Sequence, residues 1–123
     1  MLFRSKLTGL PPVASVLAAY MTSFAVDQSG NVYSWGGHTW GLLGRGGLSD
    51  CLTPTLIPGL SNVVEISTNA SSSDPSAAFL LNVLVRLKDG SVWGWGQNYY
   101  GELGNGTTAT AVTPVQAVGI NLN

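Results

Sequence analysis

The apolar positions of this chain fall in short runs rich in Val, Tyr and Trp, separated by polar and glycine turns. Nowhere do they take the period of an amphipathic helix, so the pattern predicts an all-β chain. Two hairpins stand out. Phe24 to Asp27 and Asn31 to Trp35 flank Gln28-Ser29-Gly30, and Leu80 to Leu87 and Ser91 to Trp95 flank Lys88-Asp89-Gly90. The glycine of each turn supplies the positive φ that such hairpins need. After each hairpin comes a glycine-rich passage, Gly41-Leu42-Leu43-Gly44-Arg45-Gly46 and Gly101-Glu102-Leu103-Gly104-Asn105-Gly106. Glycines around one leucine predict a tight loop from which Leu43 or Leu103 points inward. Thr53-Pro54 to Ile57 and Thr113-Pro114 to Val118 then read as edge strands with proline near the start.

These elements recur at an offset of 60 residues. Trp35-Gly36 returns as Trp95-Gly96, and Gly30, Gly41, Gly44, Gly46, Pro54 and Gly59 return as Gly90, Gly101, Gly104, Gly106, Pro114 and Gly119. One supersecondary unit is therefore used twice, and such units bury their apolar faces against copies of themselves. A boundary sequence beginning Gly9-Leu10 recurs as Gly59-Leu60 and Gly119-Ile120. It divides the chain into an N-terminal segment 1–8, a first unit 9–59 and a second unit 60–123. The second unit carries ten extra residues, assigned to the polar run 67–76 and expected to form an exposed loop.

Composition changes the picture in one respect. The chain is 45% apolar but only 9% charged, where a freestanding domain carries about 25%. Much of its surface is therefore expected to be covered by other protein. The five basic residues, Arg4, Lys6, Arg45, Arg86 and Lys88, form no stripe, which argues against nucleic acid. Residues 7–26 carry no charge and follow Arg4 and Lys6, as in a signal peptide or a membrane span. The repeat register opposes both readings, because it needs Val13 to Val26 as opening strands. Cys51 and His38 are each the only residue of their kind, which excludes a disulfide within the chain and a cysteine- or histidine-rich metal site. No cofactor is expected.

No catalytic set emerges. Asp27, Asp50, Glu65, Asp74, Asp89 and Glu102 show no spacing that favours a carboxylate pair, and a nucleophilic triad would have to use His38, whose counterpart in the second unit is Asn98. The aromatic residues are the better candidates for binding. Trp35 and Trp95 repeat and read as packing residues. Trp40, Tyr99 and Tyr100 occupy variable loop positions, where burial between neighbouring units is the expected state. The alternative is exposure, for stacking on a sugar or anchoring a protein. The inserted run supplies Asn69, Ser72 and Asp74 as further candidates, since an element that breaks the internal symmetry is a natural carrier of specificity.

Ser29-Gly30-Asn31-Val32-Tyr33-Ser34-Trp35-Gly36, and the run Asp89-Gly90-Ser91-Val92-Trp93-Gly94-Trp95-Gly96-Gln97-Asn98 continuing to Gly106, resemble the repeat of the regulator of chromosome condensation family. The first unit departs from that repeat at Gly37-His38 and at Leu42. The resemblance implies four-stranded antiparallel blades of a β-propeller, a fold built from about 4–8 blades. This chain supplies two. The expectation is a non-enzymatic structural and interaction module that completes a ring with copies of itself, as a trimer or a tetramer. A virion component, such as a phage capsid-decoration or tail protein, is the suggested setting; otherwise the protein is expected to be soluble, without membrane insertion. Alternatives are a wedge docked on a different protein, a piece of a longer chain, and a rim that binds a protein or a glycan. Nucleotide exchange on a GTPase, an activity of the family, is less supported, because no dedicated loop matches.

Overall fold

The structure, a computed structural model, describes residues 6–19, 21–38, 41–47, 49–68 and 81–122. It is all-β. Strands β1 (Val13–Ala19), β2 (Thr22–Asp27), β3 (Val32–Gly36) and β4 (Cys51–Leu56) form one antiparallel sheet in sequence order. Strands β5 (Val63–Thr68), β6 (Asn82–Leu87), β7 (Val92–Gly96) and β8 (Ala111–Gln116) form a second sheet with the same order. Even the irregularities repeat: the register shifts between Val13 and Ser15 and between Ser34 and Gly36 recur between Val63 and Glu65 and between Gly94 and Gly96. β5 takes in Ser67 and Thr68, the first two residues of the polar run; residues 69–80 lie outside the described residues. The proline strands begin two residues earlier than expected, because Gly36 and Gly96 pair beyond the bulge with Cys51 and Ala111.

Local chemistry closes the hairpins. The turn N–H of Gly30 donates to the Asp27 carbonyl at 3.0 Å, and that of Gly90 donates to the Leu87 carbonyl at 2.9 Å. The Asp27 carboxylate accepts from the N–H of Ser29 and of Asn31, both at 2.9 Å, and from the Asn31 side chain at 3.0 Å. Asp89 accepts from both the N–H and the hydroxyl of Ser91. Burial pushes the Asp27 carboxyl up, but the hydrogen bonds from Asn31, Ser29 and Gly30 outweigh it and hold it below the usual carboxylate value. For Asp89 the Ser91 hydroxyl and then its N–H lower the value. A lowered native value means that these carboxylates add stability above about pH 4 and lose it as pH falls through their native values. The double variant Asp27→Asn, Asp89→Asn should therefore show a flatter loss of stability between about pH 4 and pH 2. Urea melts across that range check this.

The two sheets pack face to face around one core. The first contributes Phe24, Val26 and Val32; the second contributes Val83, Val85 and Trp95. Trp95 is the centre of this seam. It is fully buried, its ring meets Phe24 edge-on at 6.0 Å, and its indole N–H donates to the Leu42 carbonyl at 2.7 Å. Leu42 belongs to the first glycine loop, so that loop reaches across onto the second sheet. A Cβ on Gly41 would lie 2.9 Å from Val112, and one on Gly44 would lie 3.0 Å from the Trp95 indole nitrogen. The Gly46 N–H donates to the Val112 carbonyl at 2.9 Å. Leu43 and Leu103 both point inward and are buried, as the glycine pattern predicts. Trp35, the counterpart of Trp95, is half-buried.

Candidate functional site

The most completely built loop runs from Asn98 to Ala109. It rests on the Asn98 side chain, which is fully buried between β7 and β8. Its amide nitrogen donates to the Thr107 carbonyl at 2.9 Å, the Ala109 carbonyl at 3.1 Å and the Asn105 side chain at 3.2 Å. Its amide oxygen accepts from the Leu103 N–H at 3.0 Å. One side chain thus ties together both limbs of the loop. What the loop displays is aromatic: Tyr99 is 72% exposed and Tyr100 is 78% exposed. The two rings touch edge-on, with centroids 5.6 Å apart. The Glu102 carboxylate accepts from the Tyr100 N–H and steadies the turn beneath them.

Asn98→Ala would leave the Thr107 and Ala109 carbonyls and the Leu103 N–H without their partner, the buried Leu103 bond alone costing about 1–3 kcal/mol. Thermal melts should show a clear loss of stability, and hydrogen exchange should show the largest gain in exposure over residues 99–109.

The first unit pins its loop differently. His38 stands in place of Asn98 and pairs through Nδ1 with the Asp50 carboxylate, which also accepts from the His38 N–H at 3.2 Å. The His38 side chain, followed by its backbone N–H, holds the Asp50 carboxyl below the usual range. Arg45 donates to the carbonyl and the hydroxyl of Ser34, and the Ser34 hydroxyl donates to the Leu43 carbonyl at 2.7 Å. His38 and Asp50 therefore have a structural task. Cys51 touches the Thr55 hydroxyl at 3.2 Å; that contact, then a backbone hydrogen bond at Thr53 and the Arg45 charge, hold its thiol below its ordinary value against the opposing effect of burial. Among the described residues no group of three metal-ligating side chains forms, and no helix is long and apolar enough to cross a membrane.

Of the residues singled out from sequence, Tyr99 and Tyr100 are adjacent and exposed in this chain. The two sheets meet through Trp95 and the first glycine loop, and Tyr99 and Tyr100 lie off that seam. Trp40, Asn69, Ser72 and Asp74 lie outside the described residues. Asn98 carries the loop and was visible in the sequence only as the counterpart of His38. A signal was present: an amide side chain between a repeated Trp-Gly and a glycine loop is well suited to bridging backbone groups.

Comparison with known proteins agrees with this geometry. The model of the Regulator of chromosome condensation (RCC1) repeat matches at residues 29–77 and 89–122. The chain is 34% identical over 92 residues to the E3 ubiquitin-protein ligase HERC2 of Homo sapiens, covering 75% of this chain and 2% of the ligase. Its fold is similar to that of human WBSCR16, with a TM-score of 0.72 at 24% identity, over 91% of this chain and 27% of the other. It is also similar to Prp20p from Saccharomyces cerevisiae, whose structure was described with its binding properties to Gsp1p and histones. There the TM-score is 0.64 at 16% identity, over 90% of this chain and 28% of the other. The chain thus spans a small part of the ligase and about a quarter of each propeller.

Proposed function

The chain belongs to the Regulator of chromosome condensation (RCC1) repeat family, and we propose that it is a non-catalytic protein-binding module whose loop 98–109 offers Tyr99 and Tyr100 to a protein partner. The observation that carries this reading is the exposure of two adjacent tyrosines on a loop held by a fully buried asparagine. Tyrosine brings a large amphipathic surface with few rotatable bonds, and a loop already ordered loses little entropy on binding. Truncating an anchor of this kind typically costs about 2 kcal/mol or more. Prp20p is described with protein partners, Gsp1p and histones, which favours a protein over a small molecule here as well.

The test is a photo-crosslinking residue at position 100, followed by identification of the captured protein and titration of that protein. The variant Tyr99→Ser, Tyr100→Ser should weaken binding by roughly 30-fold or more while leaving the thermal melt unchanged. Capture that is indifferent to both tyrosines would overturn the reading. Binding to a glycan array that the double variant abolishes would move the same loop to carbohydrate recognition.

A further inference from the structure

The two units are equivalent, so the seam between them can be compared with the two faces left open at the ends. Partners across the strands define those faces. In the first sheet Phe24, Val26, Val32 and Ser34 share the face that meets the second sheet, while Ser23, Ala25, Tyr33 and Trp35 share the opposite one. In the second sheet Val83, Val85, Trp93 and Trp95 share the face turned to the first. Its opposite face carries Ser67, Leu84, Arg86 and Val92.

One open face therefore repeats the donor side of the seam, and the other repeats the receiving side. Trp35 occupies the position of Trp95. Its indole N–H has no hydrogen-bond partner among the described residues, whereas that of Trp95 is bound at 2.7 Å. Val16 corresponds to Ile66; Ile66 packs on the core, while Val16 is 72% exposed. Leu52 corresponds to Val112, which closes onto Gly41, and Leu52 is 93% exposed.

The receiving side repeats the backbone of the seam, with Leu84, Arg86 and Glu102 standing where the seam has Phe24, Val26 and Leu42. Gly41, Gly44 and Gly46 have φ of 74°, 71° and 79°, and Gly101, Gly104 and Gly106 have 76°, 67° and 84°. The backbone shape is the same, but the surroundings differ. Gly41 and Gly44 lie against Val112 and Trp95. A Cβ on Gly106 would meet nothing within 4 Å, one on Gly101 only the Thr107 carbonyl at 3.8 Å, and one on Gly104 only Ala117 at 3.5 Å, both from its own loop and strand. Leu84, Arg86, Val92 and Leu122 line an open hollow, the first three from the same open face of the second sheet. The Leu122 N–H donates to the Gly90 carbonyl at 2.7 Å, as the Val63 N–H donates to the Gly30 carbonyl at 3.0 Å, so the last described residues follow the path of the linker between the sheets.

We propose that these faces are the two halves of one interface, through which copies of this chain add head to tail. Trp35 of one copy enters beside Gly104 of the next, with its indole N–H donating to the Glu102 carbonyl, the counterpart of Leu42. Leu52 closes onto Gly101, and its carbonyl accepts from the Gly106 N–H. The occupant is a second copy because the chain already contains this interface once, with the same tryptophan, the same glycine conformations and the same strand edge. It also explains a leucine held almost wholly in solvent. Head-to-tail addition closes into a ring if the rotation permits, and three or four copies would give six or eight blades, within the usual range of about 4–8. The interface draws on the glycine backbone of loop 98–109 and the partner site on the Tyr99 and Tyr100 side chains of the same loop; Leu52→Asp lies outside that loop, so loss of self-association and loss of partner binding are read separately.

The test uses two variants at exposed sites, Leu52→Asp on the donor side and Ser67→Arg on the receiving side. Sedimentation equilibrium of the unmodified chain should show a concentration-dependent trimer or tetramer. Each variant alone should be a folded monomer by circular dichroism and sedimentation, with association weakened at least 100-fold. Mixed one to one, the two variants should form a heterodimer, because one intact donor face and one intact receiving face remain. A wild-type chain that stays monomeric at high concentration overturns the proposal. So does an oligomer untouched by either substitution, or a mixture that stays monomeric, since a two-fold interface would not be rescued in this way.

Discussion

Trp95→Ala leaves the chain unfolded or molten at room temperature. The indole is fully buried between the sheets, and its removal opens a cavity whose cost for a large aromatic is about 3–5 kcal/mol. It also leaves the Leu42 carbonyl without its donor, a further loss of about 1–3 kcal/mol. A domain of this size has a total stability on the order of 5–15 kcal/mol, so the sum consumes most of it. The variant Trp35→Ala is the natural control, being the same residue at the equivalent position on a half-open face. At low concentration it should lose less than half as much. Far-ultraviolet circular dichroism with urea melts distinguishes the two; equal losses would mean that the seam is not where the stability lies.

The second large effect concerns backbone contact. Gly30→Ala should cost about 3 kcal/mol or more, through two separable causes. Gly30 has φ of 84°, where any side chain is strained by about 1–2 kcal/mol. A Cβ there would also stand 2.7 Å from both the Asn62 Cα and the Val63 nitrogen, which are backbone and cannot swing away. The contact lies where the chain passes from one sheet to the other, and the Val63 N–H donates to the Gly30 carbonyl across it. Gly119→Ala isolates the first cause, since Gly119 has φ of 76° and a Cβ there would meet nothing within 4 Å. Its loss should stay near 1 kcal/mol. Chemical denaturation of both variants gives the difference, which measures how closely the two sheets approach.

Much of the fold was legible because glycine is demanded by backbone geometry. Gly30 and Gly90 mark the hairpin turns and the glycine loops mark the crossings, so their common offset carried the strand order of both sheets. The inward leucines Leu43 and Leu103 followed from the same pattern. Exposure was harder to read, because it depends on which surfaces neighbours cover. Tyr99 and Tyr100 look like packing residues by type, yet the loop turns them out. Trp35 and Trp95 hold equivalent positions, each followed by glycine, and differ in burial because one sheet has a neighbour on that side and the other does not. Asn98 was overlooked as the organiser of its loop because its partners are mostly backbone groups, which no residue type announces. His38 and Asp50 do a related task through an imidazole–carboxylate contact, so a shared geometry is hidden by different chemistry.

The most direct test of this account is hydrogen exchange at the tryptophan indole N–H groups, followed by nuclear magnetic resonance as the chain is concentrated. The Trp95 indole should be strongly protected at every concentration, since it is buried and bonded within one chain. The Trp35 indole should exchange quickly in dilute solution and become protected as copies associate. A Trp95 indole that exchanges freely would contradict the packing of the two sheets, and a Trp35 indole that stays unprotected at high concentration would contradict the repetition of that packing between copies.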